Sequence, residues 1–331
     1  MRTEMLAPAA VLEAFENIRR AQSAGVYAPH KPMLILLALA RVQRGEPRLV
    51  EFTQIDGLMK QLLTEFGRTG AANSRHNPFW HLATDGQGAL WDFQRPPDWV
   101  HRPASATPTL GELKRRQLRA GFAQAIDDTL RHVPGLLASV ASRTLDAYFP
   151  TTLQADIAAC LGLDLSAGPT AQEAPPHAGP GAGSRRRRDP GFRERVLRAY
   201  EHRCCVCGFS LRIHHQPAGL EAAHIQWHHA GGPDTEQNGL SLCALHHKLF
   251  DLGVFTLEPA EHRLIFSQHA ITDERGASGE LRFHGQRIHA PQHRDLLPAA
   301  DHVDWNVRWV FKSPARRMVP TPTAAASLPR A

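Results

Sequence analysis

From Leu12 to Glu65 the apolar positions recur with the period of an α-helix. In VLEAFENIRRAQ, Leu12, Phe15 and Ile18 fall on one face. KPMLILLALARVQRG is apolar almost all round between Pro32 and Arg41, starts beside a proline and closes on a glycine. It predicts a buried helix, far too short to cross a bilayer. FTQIDGLMKQLLTEFG repeats the helical pattern. PFWHLATDGQGALWDF, from Pro78 to Phe93, predicts two short strands about a glycine turn, with one of Phe79 and Trp80 facing the core. Thr109 to Leu161 returns to helices.

The periodicity stops between Ser166 and Pro190, where proline, glycine and alanine replace the apolar positions and predict a flexible tether. Beyond it, FRERVLRAYEHR predicts a basic amphipathic helix, LEAAHIQW a strand, GLSLCALHHKLFD a helix, and GVFTLEP with HRLIFSQ a hairpin. HVDWNVRWVFKSPARR reads as a core strand with Trp305 and Trp309 inward, or as aromatics interleaved with base for contact with DNA. The organisation expected is an α+β chain. A mainly helical domain with a small hairpin spans 1–165, a linker 166–190, a second domain 191–317, and a disordered tail 318–331.

Length and charge narrow this picture. At 331 residues the chain can bury two cores. Its 38 Lys and Arg against 32 Asp and Glu, a net charge of +6, favour a polyanionic partner. Arg185 to Arg188 in the tether are either a solvated run or a non-specific hold on phosphates. The first twenty residues lack the apolar core of a secretory signal, so the cytoplasm is the expected compartment and no membrane is implicated.

Of five cysteines, four lie between Cys204 and Cys243, and an odd count in a cytosolic chain argues for metal rather than a disulfide framework. Cys160, within DIAACLGL, reads as a small core residue. Cys204 and Cys207 form a C-x-x-C, Cys243 and His246 a C-x-x-H, and four such ligands close a tetrahedral zinc site. Cys205 is left as a spare thiol.

Inside that clamp come His224, Asn238 and His247 in order, and here Phe192 to Leu257 closely resembles the HNH endonuclease family. The resemblance implies a ββα-metal nuclease domain that hydrolyses phosphodiesters with a divalent ion such as Mg2+ or Mn2+. It implies His224 as general base, Asn238 as the residue that fixes the loop and orients the base, and His247 as a metal ligand. Imidazole suits a base near neutral pH. Many members carry aspartate or histidine directly before the base; this chain has Ala223, so Glu221, Asp234 and Asn238 stand as candidate second ligands. His214, His215, His228 and His229 read as surface residues, and Asp251 as a contact at the helix end.

The first domain carries a second resemblance. YAPHKPMLILLALARV and RHNPFWHLATDGQGALW are similar to the sulfur-binding domain of restriction enzymes that recognise phosphorothioate-modified DNA. It implies that His30, Lys31, Arg75, Asn77, Pro78 and His81 contact DNA and its sulfur, with Pro78 as an apolar wall. Together the two resemblances imply a type IV-like, modification-dependent restriction endonuclease on double-stranded DNA. Since one HNH site cuts one strand, pairing into a homodimer is expected for a double-strand break. Two alternatives stand beside this: an HNH nuclease that reads another mark or plain duplex, and a zinc-held DNA-binding protein without catalysis.

Overall fold

The N-terminal half is organised around a helix that has almost no polar face. In the computed structural model, which describes residues 5–16, 18, 22–23, 26–85, 90–99, 101–103, 105–166, 189–272 and 279–317, it follows α1 (Pro8–Glu16), β1 (Gln22–Ser23) and β2 (Val26–Tyr27). This is α2 (His30–Gln43), and it buries every residue from Pro32 to Ala40. An unbroken Leu and Ala run favours the helix, and Pro32 sits in the first turn where no backbone N–H is needed. Gly45, at φ 71°, turns the chain back at its end.

Around α2 come β3 (Val50–Glu51), α3 (Phe52–Glu65), α4 (Asn77–His81), β4 (Trp91–Phe93), α5 (Leu110–Arg115), β5 (Arg119–Phe122), α6 (Gln124–His132), α7 (Leu136–Tyr148) and α8 (Thr151–Leu161). Helices α3, α4, α6, α7 and α8 all pack on α2. The three strands form one antiparallel sheet in the order β3-β5-β4.

Three expectations for this half are corrected. Pro78 to His81 is helical, not a strand: Pro78 occupies the first turn of α4, and Phe79 and Trp80 are both buried, at 0% and 2% exposure. Their rings meet Phe52, Trp91, Phe93 and Trp99 edge-on. Among the described residues β4 is what remains of the expected hairpin, and its partner is β5, inside the stretch read as helices. Most of the expected glycine turn lies outside the described residues. Cys160 is exposed near the end of α8 rather than in the core.

The second half is built of α9 (Phe192–Ala199), a hairpin of β6 (Arg212–Ile213) and β7 (Gln216–Pro217), then β8 (Leu220–His224), β9 (Gly239–Cys243) and α10 (Ala244–Asp251). A second hairpin of β10 (Phe255–Leu257) and β11 (Leu264–Phe266), then α11 (Ala300–Trp309), complete it. GLSLCALHHKLFD is therefore strand to Cys243 and helix only from Ala244. Leu240, Ser241 and Leu242 are each fully buried, and a strand buried on both faces shows no alternation to distinguish it from a helix. The Trp305 and Trp309 segment is also helical. Val303 is fully buried while Val307 is 38% exposed, which breaks the two-residue alternation; the two tryptophans lie one turn apart and half-buried.

Among the described residues the halves touch in two places. Thr152 donates to Asp251, and Lys248 contacts both Asp156 and the Thr152 carbonyl, so α8 packs on α10. Lys312 Nζ donates to the carbonyls of Thr64, Glu65 and Gly67 at 2.6, 2.9 and 2.6 Å, at the C-terminal end of α3. Most of the expected tether, Arg185 to Arg188 included, and residues 318–331 lie outside the described residues. Among the described residues no helix is long and apolar enough to cross a membrane.

Candidate functional site

Cys204 and Cys207 occupy the turn after α9, Cys243 caps α10, and His246 lies in that helix's first turn. The four ligand atoms all lie within 4.8 Å of one another. His246 Nδ1 is 3.1 Å from Cys243 Sγ and 3.6 Å from Cys204 Sγ. Three thiols and an imidazole in this arrangement fit a soft tetrahedral ion such as zinc. Burial pushes the Cys204 thiol up to about 12 and raises that of Cys243 as well. A cation would reverse this by holding the thiolates. His246 Nε2 sits 2.6 Å from the Glu280 carboxylate, which fixes the ring with Nδ1 toward the sulfurs. Glu280 had no spacing signal in the sequence. Cys205 is fully buried, and burial raises its thiol far above the usual range.

The clamp holds β8, β9 and α10 together. Strands β8 and β9 pair antiparallel with His224 opposite Gly239 and Ala223 opposite Leu240. A Cβ on Gly239 would lie 2.4 Å from Val196 Cγ2 of α9, so only glycine permits this approach. The consequence is that Phe192, on α9, stacks on the His224 ring at 4.1 Å and 16°. His224 Nε2 lies 2.8 Å from Asp234 Oδ1. A carboxylate there requires the proton on Nε2, which leaves the lone pair of the neutral ring on Nδ1. Burial would raise the Asp234 carboxyl, but the Asp189 N–H, His224 and His228 hold it below its usual range. His228 Nε2 is 3.7 Å from the other Asp234 oxygen, and its side chain is 11% exposed, so it is not the surface residue expected.

Asn238 fixes the loop between the strands. Its Oδ1 accepts from the Gln226 N–H at 2.8 Å, while Nδ2 donates to the carbonyls of Gln226 and Pro233 at 3.0 and 2.9 Å. It is fully buried and directly precedes β9 rather than the helix.

His247 faces β8 from α10. Its Nδ1 is 2.5 Å from Glu221 Oε2 and its Nε2 3.3 Å from Asp251 Oδ2. Burial alone would lower its pKa, but the hydrogen bonds and charges of Asp251 and Glu221 outweigh that and raise it to about 9. Asp251, buried at the helix end, also accepts from Trp227 Nε1 at 3.0 Å.

In the first half the six expected contact residues lie on adjacent elements. His30 and Lys31 open α2, Arg75 ends the turn before α4, and Asn77, Pro78 and His81 belong to α4. His30 Nε2 is 2.7 Å from the Ala71 carbonyl and 3.0 Å from Ser74 Oγ, so it braces the turn that carries Arg75. Burial lowers the pKa of His30 and His81. Lys31 pairs with Asp85 at 2.6 Å, Arg75 with Asp56 at 2.6 Å, and His81 Nε2 contacts Thr107 Oγ1 at 2.8 Å. Pro78 is buried. Asp56, Asp85 and Thr107 were not visible as partners in the sequence.

Two antiparallel strands and a helix that present a histidine, an asparagine and a histidine, clamped by a Cys3His cluster, define a ββα-metal nuclease module. Residues 204–258 match the family model of the HNH endonuclease, and residues 8–166 that of the ScoMcrA-like DNA sulfur-binding domain. The chain thus joins a region that matches the ScoMcrA-like DNA sulfur-binding domain to one that matches the HNH endonuclease. The sulfur binding domain of ScoMcrA complexed with phosphorothioated DNA is 24% identical, with 44% of this chain and 93% of that one covered at a TM-score of 0.39. The corresponding domain of SprMcrA is 20% identical, with 48% and 95% covered at 0.40. The modification dependent TagI restriction endonuclease is 24% identical, with 36% and 37% covered at 0.27. No curated protein matches the chain.

Proposed function

We propose that the protein cleaves double-stranded DNA carrying a phosphorothioate linkage, reading the sulfur with its first domain and hydrolysing a phosphodiester with its second. The union of the two matched domains in one chain is the observation that carries this reading. Sulfur in place of a non-bridging oxygen is larger and poorly hydrated, so an apolar floor with a cationic rim favours it through desolvation rather than charge. Pro78 is the floor, Lys31 and Arg75 are the cationic part of the rim, and His30, Asn77 and His81 complete it as hydrogen-bonding groups. Lys31 and Arg75 are pre-oriented by Asp85 and Asp56.

In the nuclease half His224 is the general base. Asp234 holds its Nε2–H, Phe192 holds the ring plane, and Nδ1 takes the proton of the attacking water. A divalent ion, magnesium or manganese, supplies positive charge for the phosphate and leaving oxygen when bound, and His247 is its ligand. Asn238 is assigned the loop-fixing role alone, because its amide is buried and spent on Gln226 and Pro233. Zinc fills the Cys204, Cys207, Cys243 and His246 cluster. The enzyme acts in the cytoplasm, and two copies pair on the duplex to break both strands.

The test is cleavage of two duplexes of one sequence, with and without the phosphorothioate, in manganese, magnesium or chelator at fixed salt. Cutting of the sulfur-bearing duplex alone, stopped by chelator, is expected. Equal cutting removes the sulfur reading and leaves a nuclease of plain duplex; binding without products leaves a zinc-held DNA-binding protein.

A further inference from the structure

We infer that Glu221 supplies the second protein ligand of the catalytic ion, in the place that Ala223 leaves empty of any donor. The inference rests on the assignment of His247 as a ligand of that ion. Ala223 is fully buried and carries only a methyl group. Side chains alternate along a strand, so Glu221, two residues earlier on β8, leaves the same face of the strand as Ala223. Its longer side chain reaches His247, with Oε2 2.5 Å from Nδ1.

The two nitrogens of His247 meet different environments. Nε2 faces Asp251, whose side chain is 3% exposed and which is also committed to Trp227 and Thr152. Nδ1 faces Glu221, whose side chain is 46% exposed. A ligating histidine ordinarily gives its second ring N–H to a carboxylate that fixes the tautomer. Asp251 does this for Nε2, which leaves Nδ1 and the open carboxylate of Glu221 to meet an ion from solvent. The neighbouring residue repeats the plan: His246 turns Nε2 to Glu280 and Nδ1 to the metal-binding thiols.

The donor chemistry also separates the two sites. Three thiols suit zinc, whereas one imidazole and one carboxylate suit a harder, exchangeable ion such as manganese or magnesium. Such ions are commonly held by one or two protein ligands, with water and substrate phosphate completing the shell.

Manganese binding to the full-length, zinc-loaded protein tests this without reference to cleavage. Titration would be followed by the electron paramagnetic resonance of free Mn2+, to millimolar concentration, with and without an uncleavable duplex. The wild type is expected to hold one manganese beyond its zinc, and Glu221→Gln and His247→Ala each to weaken it at least about tenfold. Zinc content and thermal melting report that the variants are folded. If Glu221→Gln binds as the wild type does while His247→Ala does not, Glu221 is no ligand but the reading of His247 stands. If neither variant changes manganese binding, or if the wild type shows no manganese site in either condition, both assignments fall.

Discussion

His246 and His247 are consecutive residues of α10, yet their imidazoles face different groups. His246 Nδ1 approaches Cys243 Sγ to 3.1 Å, while His247 Nδ1 approaches Glu221 Oε2 to 2.5 Å. The helix is therefore the common wall of a buried sulfur-rich cluster and a half-open carboxylate cleft. Because successive helical residues point about 100° apart, the clamp on one fixes the direction of the other.

Removing a zinc ligand should disturb both. Cys204→Ala is expected to lose the zinc equivalent and to destabilise the second half by at least about 3 kcal/mol, or roughly 6–12 °C in melting temperature. Metal analysis and calorimetry on the same sample check this. Full zinc content in that variant would show that Cys204 is not a ligand.

The base and its partner should separate by magnitude. His224→Ala is expected to abolish turnover, while Asp234→Asn, which no longer fixes the Nε2–H tautomer by charge, should slow it by about a hundredfold. Both variants should bind duplex as the wild type does in a mobility-shift titration. Asp234→Asn with unchanged turnover would make the 2.8 Å contact merely structural.

The ion pairs of His247 predict a pH dependence of stability in protein loaded with zinc but free of other divalent ions. The pKa is raised in the folded state, from the ordinary 6.5 to about 9. That stabilisation is complete below about pH 6.5 and is lost as pH rises through about 9, on the order of 1–3 kcal/mol. Urea unfolding across this range should show the loss, and Glu221→Gln with Asp251→Asn should flatten it. A wild-type curve no steeper than that of the double variant would rule the pairs out as its origin.

On the DNA-reading half, the side chain of Asp85 is 0% exposed beside Lys31. Lys31→Ala is expected to cost about 1–3 kcal/mol by removing the charged donor at 2.6 Å from that buried carboxylate, and Lys31→Ala with Asp85→Ala to recover part of it. A double-mutant cycle in unfolding free energy measures the coupling, and simple additivity would exclude it.

The Cys3His cluster was legible because C-x-x-C and C-x-x-H are local spacings that the turn and the helix end preserve. His224, Asn238 and His247 were legible from motif order alone, and the helices of the first half from their period. The partners that complete these groups were not. Glu280, Asp234 and Asp85 reach their histidines and lysine across 34, 10 and 54 residues of chain, distances that only the folded packing closes. Secondary structure failed where two periods overlap: Phe79 and Trp80 are buried together because α4 is wedged into an aromatic cluster, and Val303 to Trp309 imitates a strand by chance alternation. Cys160 was misread because apolar neighbours on a helix say nothing of which flank a residue occupies.

Gly239 sets a limit of a different kind. It carries no charge, donates nothing to any ion and would pass unnoticed in a survey of reactive groups. Yet a methyl here would lie 2.4 Å from Val196 and 3.3 Å from the Phe192 ring, both on α9, so the helix and the ring that stacks on His224 could not keep their present places together. One added carbon at this position thus presses on α9 and on the ring that covers His224, while leaving every polar atom of the site in the sequence.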